Sequence, residues 1–242
     1  MRKIFIDGGA NKGQSTENFI SRFSEFKLEP ENWEIYMIEP NSGCNGKIEK
    51  VINKYKNDDG FNITYYNKAL WKNDDELTLK HNSGGDGCTE SGSTVFKNGP
   101  KTQKVKSIHL SKWIKENFNK DDYIILKLDI EGAEYEIIND LYETDTLSYI
   151  NTIHGELHGI KKGYNINDDL ILLEQLKKYD LKLWTWNGSN HTKPIYGSVY
   201  SWDLLESEYK KWETRNYSLE PDWDSLKHYQ KNYKEWYDEN ME

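Results

Sequence analysis

Three short stretches of the chain place carboxylates beside glycines. In Phe5-Ile-Asp7-Gly8-Gly9-Ala10-Asn11-Lys12-Gly13-Gln14-Ser15 an acid directly precedes a glycine-rich turn. Ile38-Glu39-Pro40-Asn41 sets a second acid at the end of a short apolar run, and Lys127-Leu-Asp129-Ile-Glu131-Gly-Ala-Glu134 sets a cluster at the end of the most apolar run in the chain. The first turn does not have the G-x-G-x-x-G spacing of a dinucleotide fingerprint, since Ala10 or Asn11 falls where the second glycine is needed. A carboxylate at Asp7 would repel a pyrophosphate. It would attract a cofactor that carries an ammonium group beside a carboxylate, the latter being suited to a helix N-terminus. S-adenosylmethionine has both groups. Glu39 can accept the two ribose hydroxyls of an adenosine. Either acid alone reads equally well as a strand-end or capping residue; at the tips of neighbouring strands with the glycines between them, they argue for nucleoside binding. The expected cofactor contacts from these stretches are Asp7, Gly8, Gly9, Ala10, Asn11, Gly13, Gln14, Ser15, Glu39, Pro40 and Asp129.

Methyl transfer from a sulfonium is an in-line displacement on an activated carbon, so the protein has chiefly to position the acceptor and remove its proton. Asp129 is the first candidate for the base or for orienting the acceptor. Lys127 is placed by strand alternation on the same side, where it could stabilise a developing alkoxide or pair with Asp129. Glu131 is a further candidate for a direct role, and Glu134 is expected to support a helix N-terminus. His158, in His154-Gly-Glu156-Leu-His158-Gly159, alternates onto one side with Glu156, and an imidazole suits proton removal near neutral pH. Asp129, Glu156 and His158 could instead hold a divalent cation, a reading that is not favoured, and no metal is assigned.

The elements that must position these groups follow from hydrophobic periodicity. Strands are expected at Lys3–Ile6, Glu34–Ile38, Phe61–Tyr66, Asp122–Asp129, Tyr149–Leu157 and Leu181–Trp186. Helical faces are expected at Phe19, Ile20, Phe23 and Phe26, at Lys47–Lys56, at Glu131–Leu141 and at Asp168–Tyr179. Such alternation is the signature of a parallel sheet with helices on both faces. Lys72–Pro100 is polar and glycine-rich and is read as one long connection, with Asn82–Asn98 as a lid. Asp203–Glu242 reads as two helices capping the same domain, giving a main domain at 1–202 and an extension at 203–242. Six of the nine tryptophans follow residue 183. An acceptor wall is one use for them, and anchoring of the terminal helices is the favoured one.

The 242 residues carry 32 Lys and Arg against 41 Asp and Glu, a net charge of −9, with 14% aromatics and a mean hydropathy of −0.94. This is a polar yet folding composition. The acidic balance, with lysines dispersed among acids, disfavours nucleic acid as a partner. No apolar run is long enough for a membrane span, and no secretory leader is expected. Cys44 and Cys88 lie in no CxxC spacing and are expected as free thiols, which points to a cytoplasmic, reducing compartment.

Four segments, Phe5–Gly13, Ile38–Asn41, Asn67-Lys-Ala-Leu70 and Lys127–Glu134, resemble in order and spacing the FkbM-type family of S-adenosylmethionine-dependent O-methyltransferases, over about residues 3 to 158. The last segment is the most specific. The resemblance implies a Rossmann-like class I methyltransferase fold, an α/β architecture whose mostly parallel sheet ends in an antiparallel strand. It adds Ala69 and Leu70 to the cofactor contacts. It implies methylation of a hydroxyl on a sugar, glycan or other small metabolite. The alternatives are an RNA ribose 2'-O-methyltransferase and a catalytically inactive module that keeps the cofactor fold.

Overall fold

The computed structural model describes residues 1–21, 33–58, 60–81, 88, 101–155, 157–158, 166–181 and 183–185. Its main sheet is built on β1 (Lys3–Gly8), β2 (Trp33–Ile38), β3 (Asn62–Tyr66), β7 (Tyr123–Leu128), β8 (Thr152–Gly155) and β9 (Leu183–Thr185), in the order β3-β2-β1-β7-β8-β9. Every pairing in it is parallel. Both faces of a parallel sheet are covered, so its central strands need apolar residues on each side. In β1, Ile4 and Ile6 therefore face one core and Phe5 the other, all three fully buried. The first core is closed by α3 (Leu110–Asn117), α4 (Glu134–Glu143) and α5 (Ile166–Lys177) through Ile114, Ile138 and Leu173. The second is closed by α1 (Gln14–Ser21) and α2 (Asn45–Asp58) through Ile20, Ile48 and Val51.

A second sheet departs from the expectation of one long connection after Lys72. β4 (Ala69–Trp71) pairs parallel with β6 (Lys101–His109), and β5 (Glu76–His81) pairs antiparallel with β6. Alternation in Glu76-Leu-Thr-Leu-Lys-His81 sends Leu77 and Leu79 to one side, where Leu79 joins Ala69 and Val105 in a small separate core. The cysteines correct a second expectation. Cys44 and Cys88 form a disulfide across 44 residues, which removes the argument from free thiols to a reducing compartment.

The helix after β7 begins three residues later than the periodicity suggests. Glu131 and Gly132 take positive φ, +58° and +105°, which holds Asp129–Ala133 as a turn. Several expectations fall outside the described residues: Phe23 and Phe26, the Asn82–Asn98 lid apart from Cys88, Glu156, the 203–242 extension with its boundary at 202, and most of the late tryptophans. A final antiparallel strand would follow Thr185 and lies outside them too.

Among the described residues no helix is long and apolar enough to cross a membrane. From β1 the sheet grows through β2 to β3, then resumes on the other side of β1 with β7. Strand order therefore switches between β1 and β7, and ligands of open α/β sheets bind outside the carboxyl ends of the strands at such a point.

Candidate functional site

Asp7, the fifth residue of β1, is register partner of Lys127 on β7. Neighbouring parallel strands thus place an acid and a base side by side before either reaches the strand ends. The Asp7 carboxylate is 0% exposed. Its Oδ1 lies 3.2 Å from Lys127 Nζ, and its Oδ2 accepts from Ser15 Oγ at 2.6 Å and Thr16 Oγ1 at 2.7 Å. Lys127 Nζ also donates to the carbonyls of Gly9, at 2.9 Å, and Gly8, at 3.2 Å. Burial by itself would lower the ammonium's pKa; the charges of Asp7 and Asp129 outweigh it and leave the pKa raised. Lys127 is therefore a buried, charged clamp between the glycine turn and the end of β1. Both side chains, expected at the site, are thus closed off by partners within the protein, and of the two uses expected of Lys127 the structure shows the pairing with Asp129, at 3.7 Å. Ser15, expected as a cofactor contact, gives its hydroxyl to Asp7, together with Thr16.

The glycine turn is shaped by close approach to β7. Gly9 has φ +76°, and a Cβ there would lie 1.9 Å from the Asp129 carbonyl oxygen. The amides of Gly9 and Ala10 both donate to the Ile38 carbonyl, Gly13 N donates to Ala10 O, and Asn11 N donates to Glu39 Oε2 at 2.9 Å. Three of these amides fold the turn onto the end of β2 and the fourth closes the turn on itself, so all four are committed within the protein. Gln14 is exposed at the start of α1, and Pro40 is half-buried beside Glu39.

Glu39 follows β2, 7% exposed. Its Oε1 accepts from Asn41 N at 2.8 Å, so two backbone amides hold the carboxylate. Burial raises its pKa more than those amides lower it, to about 7. The two amides occupy about half of the carboxylate's roughly four lone-pair sites. The loop behind is braced from several sides. Tyr65 Oη donates to the Glu39 carbonyl, Asn67 Nδ2 donates to the carbonyls of Glu39 and Pro40, and Gln103 Nε2 on β6 donates to Pro40 O. The disulfide lies against Asn11, with Oδ1 3.5 Å from Cys88 Sγ and 3.9 Å from Cys44 Sγ. Leu70 packs beside Gly8, whereas Ala69 faces the small second core.

Asp129 sits just past β7, its side chain 37% exposed and Oδ2 3.7 Å from Lys127 Nζ. Behind it lies His158, 5% exposed, with Nε2 3.8 Å from Asp129 Oδ1 and Nδ1 3.1 Å from Glu134 Oε1. Glu134, buried at the start of α4, also accepts from Ile130 N and Gly132 N, both at 2.8 Å. It thus ties down the turn that carries Asp129 and the positive-φ Glu131. Burial would lower the His158 pKa; the hydrogen bond to Glu134 and the charges of Glu134, Glu131 and Asp129 reverse this and raise it.

A family model described as the methyltransferase FkbM domain matches residues 7–182. The chain belongs to the FkbM methyltransferase family. No curated protein and no solved structure matches it. Within the FkbM match lie the acids of all three stretches, now seen as one rim along the carboxyl ends of β2, β1 and β7. Glu134 lies at the helix start where it was expected and accepts from the amides of the turn before it, whereas Thr16 and Asn41 were not singled out from the sequence. Thr16 adjoins Ser15 at a helix start and Asn41 closes the Ile38-Glu-Pro-Asn stretch, so both were within view as neighbours of named residues. Among the described residues no group of three or more His, Cys, Asp or Glu is placed to hold a metal ion, and Glu156 lies outside them.

Proposed function

We propose that this FkbM methyltransferase is an S-adenosylmethionine-dependent O-methyltransferase whose acceptor is a hydroxyl of a sugar, glycan or other small metabolite. The observation that carries the reading is Glu39: a carboxylate nearly buried at the tip of β2, pinned by two backbone amides from the glycine turn and the Pro40–Asn41 segment, with acceptor capacity left for a pair of vicinal hydroxyls. S-adenosylmethionine would be held by Glu39 through its ribose, along the rim formed by the Gly8–Gly13 turn, with its reacting end towards Asp129. It supplies an activated methyl group on a sulfonium.

The remaining work belongs to the chain. Asp129 is the more exposed acid of the rim, and it orients the acceptor hydroxyl and takes its proton. The Asp7–Lys127 pair keeps the glycine turn against β7, so that the two halves of the rim hold a fixed spacing. The acidic surface, net charge −9, fits a small or neutral acceptor better than a polyanionic nucleic acid.

The test is methyl transfer from S-adenosylmethionine to a panel of sugars, nucleotide sugars and capped RNA, read by the mass gained on the acceptor. The proposal expects products from the sugar arms. Methylation of capped RNA alone would replace it with the ribose 2'-O-methyltransferase reading, and no product in any arm despite cofactor binding would support the inactive module.

A further inference from the structure

Glu134 is a buried carboxylate that the proposed chemistry has not used. Three of its contacts converge on the acceptor end of the rim: Ile130 N, Gly132 N and His158 Nδ1. The two amides fix the carboxylate in one orientation. A carboxylate facing them can only accept, so the imidazole nitrogen opposite Oε1 must carry hydrogen. The other ring nitrogen, Nε2, lies 3.8 Å from Asp129 Oδ1. The three side chains grade from a sealed interior to the rim: Glu134 1% exposed, His158 5%, Asp129 37%.

We propose that Glu134 is a positioning residue which fixes His158 as the Nδ1–H tautomer with Nε2 on the side of Asp129, making His158 the group that receives the acceptor's proton from Asp129 during each turnover. This rests on the reading of Asp129 as the residue that meets the acceptor. In the reaction the acceptor oxygen forms a bond to the methyl carbon as the carbon–sulfur bond breaks, its electron pair staying on sulfur. The hydroxyl proton passes to Asp129 and from there to His158 Nε2. The resulting imidazolium lies between two carboxylates, and after product leaves it gives its proton to solvent by way of the partly exposed Asp129, which restores a neutral ring and an ionised Asp129 for the next cycle. Among the described residues, the charged groups facing the ring include Glu134 from α4 and Asp129 and Glu131 from the β7–α4 turn, and each of these acids favours the imidazolium.

Two consequences separate this from a merely structural contact. His158 must be neutral to accept, so turnover rises with pH through its titration. Removing the Glu134 charge must move that titration to lower pH, together with the acidic limb of the kcat profile. The experiment is nitrogen-15 NMR of the histidine rings across pH in the wild type and in Glu134→Gln, with His158→Gln to assign the signal, alongside kcat–pH profiles and thermal melts. The expected result is a neutral His158 protonated on Nδ1, titrating above the ordinary value of 6.5 in the wild type and lower in the variant, with the kinetic limb following. An unmoved titration in a folded Glu134→Gln, or an acidic limb that persists unchanged in His158→Gln, overturns the proposal. If Glu134→Gln does not fold, the wild type still decides: a neutral ring protonated on Nε2, or a titration at or below 6.5, overturns it. The NMR measurement needs neither cofactor nor acceptor. Its failure would remove the role of Glu134 and leave methyl transfer standing, whereas absence of S-adenosylmethionine binding would remove the function and leave the ring assignment intact.

Discussion

Asp7 and Asp129 end adjacent strands two registers apart, yet they are held in opposite ways. Asp7 is sealed, and each of its oxygens faces a donor within the protein: Lys127 on one side, Ser15 and Thr16 on the other. Asp129 leaves more than a third of its side chain exposed, with Lys127 and His158 only at 3.7 Å and 3.8 Å. A buried charge of the first kind is costly unless paired, so its partners are fixed by folding itself. A partly exposed acid of the second kind can exchange water for a ligand. Strand-end acids in such a fold therefore divide into those that hold the rim together and those that face what binds there, and Glu39 stands between the two.

The comparison breaks hardest at Lys127. Lys127→Ala leaves Asp7 buried without its cation, and a loss of about 3–5 kcal/mol of stability is expected in chemical denaturation. A variant that melts like the wild type and loses only turnover would make Lys127 catalytic after all. Asp129→Asn should do the reverse, keeping the fold and cofactor affinity while lowering kcat by about 10²- to 10⁴-fold in single-turnover assays. Full activity would remove Asp129 from the chemistry.

Next in size is the disulfide, which closes a long loop beside Asn11 and the Glu39 turn. Cys44→Ser should lower stability by up to about 4 kcal/mol and weaken cofactor binding, since the turn is braced from that side. Unchanged melting and affinity under reducing conditions would detach the disulfide from the site.

The smallest effect concerns Glu39. Its raised pKa means that the folded protein keeps a proton which the unfolded chain releases between the ordinary value of 4.5 and about 7. Its contribution to stability is thus present at low pH and fades as pH rises through that window. Cofactor affinity should run the other way, weakening by up to about tenfold as the pH falls below 7 and the carboxylate is neutralised. Glu39→Gln should flatten both dependences, which calorimetric titration and melting curves at several pH values would register.

Much of this was legible in the sequence because it is written in short-range pattern. The near-continuous apolar run Tyr123–Leu128 announces a strand covered on both faces, and the acids and glycines at the strand ends announce the rim. What escaped reading depends on partners distant in the chain. The burial of Asp7 follows from strand register with Lys127, which lies 120 residues away. The disulfide joins cysteines with no local signature. The second sheet was hidden because Glu76–His81, although alternating, is short and lies in a polar stretch, and its apolar side meets only the small core of Ala69, Leu79 and Val105. Leu110, Trp113 and Ile114 carry helical spacing for α3 that was there to be read.

The central claim, that the β1–β2–β7 rim holds S-adenosylmethionine through Glu39, is tested most directly by isothermal titration calorimetry of the wild type and Glu39→Gln with S-adenosylmethionine and with NAD. Saturable binding of S-adenosylmethionine by the wild type, weakened in the variant, is expected, with no binding of NAD. Binding of NAD without S-adenosylmethionine, or equal S-adenosylmethionine affinity in both proteins, would contradict it.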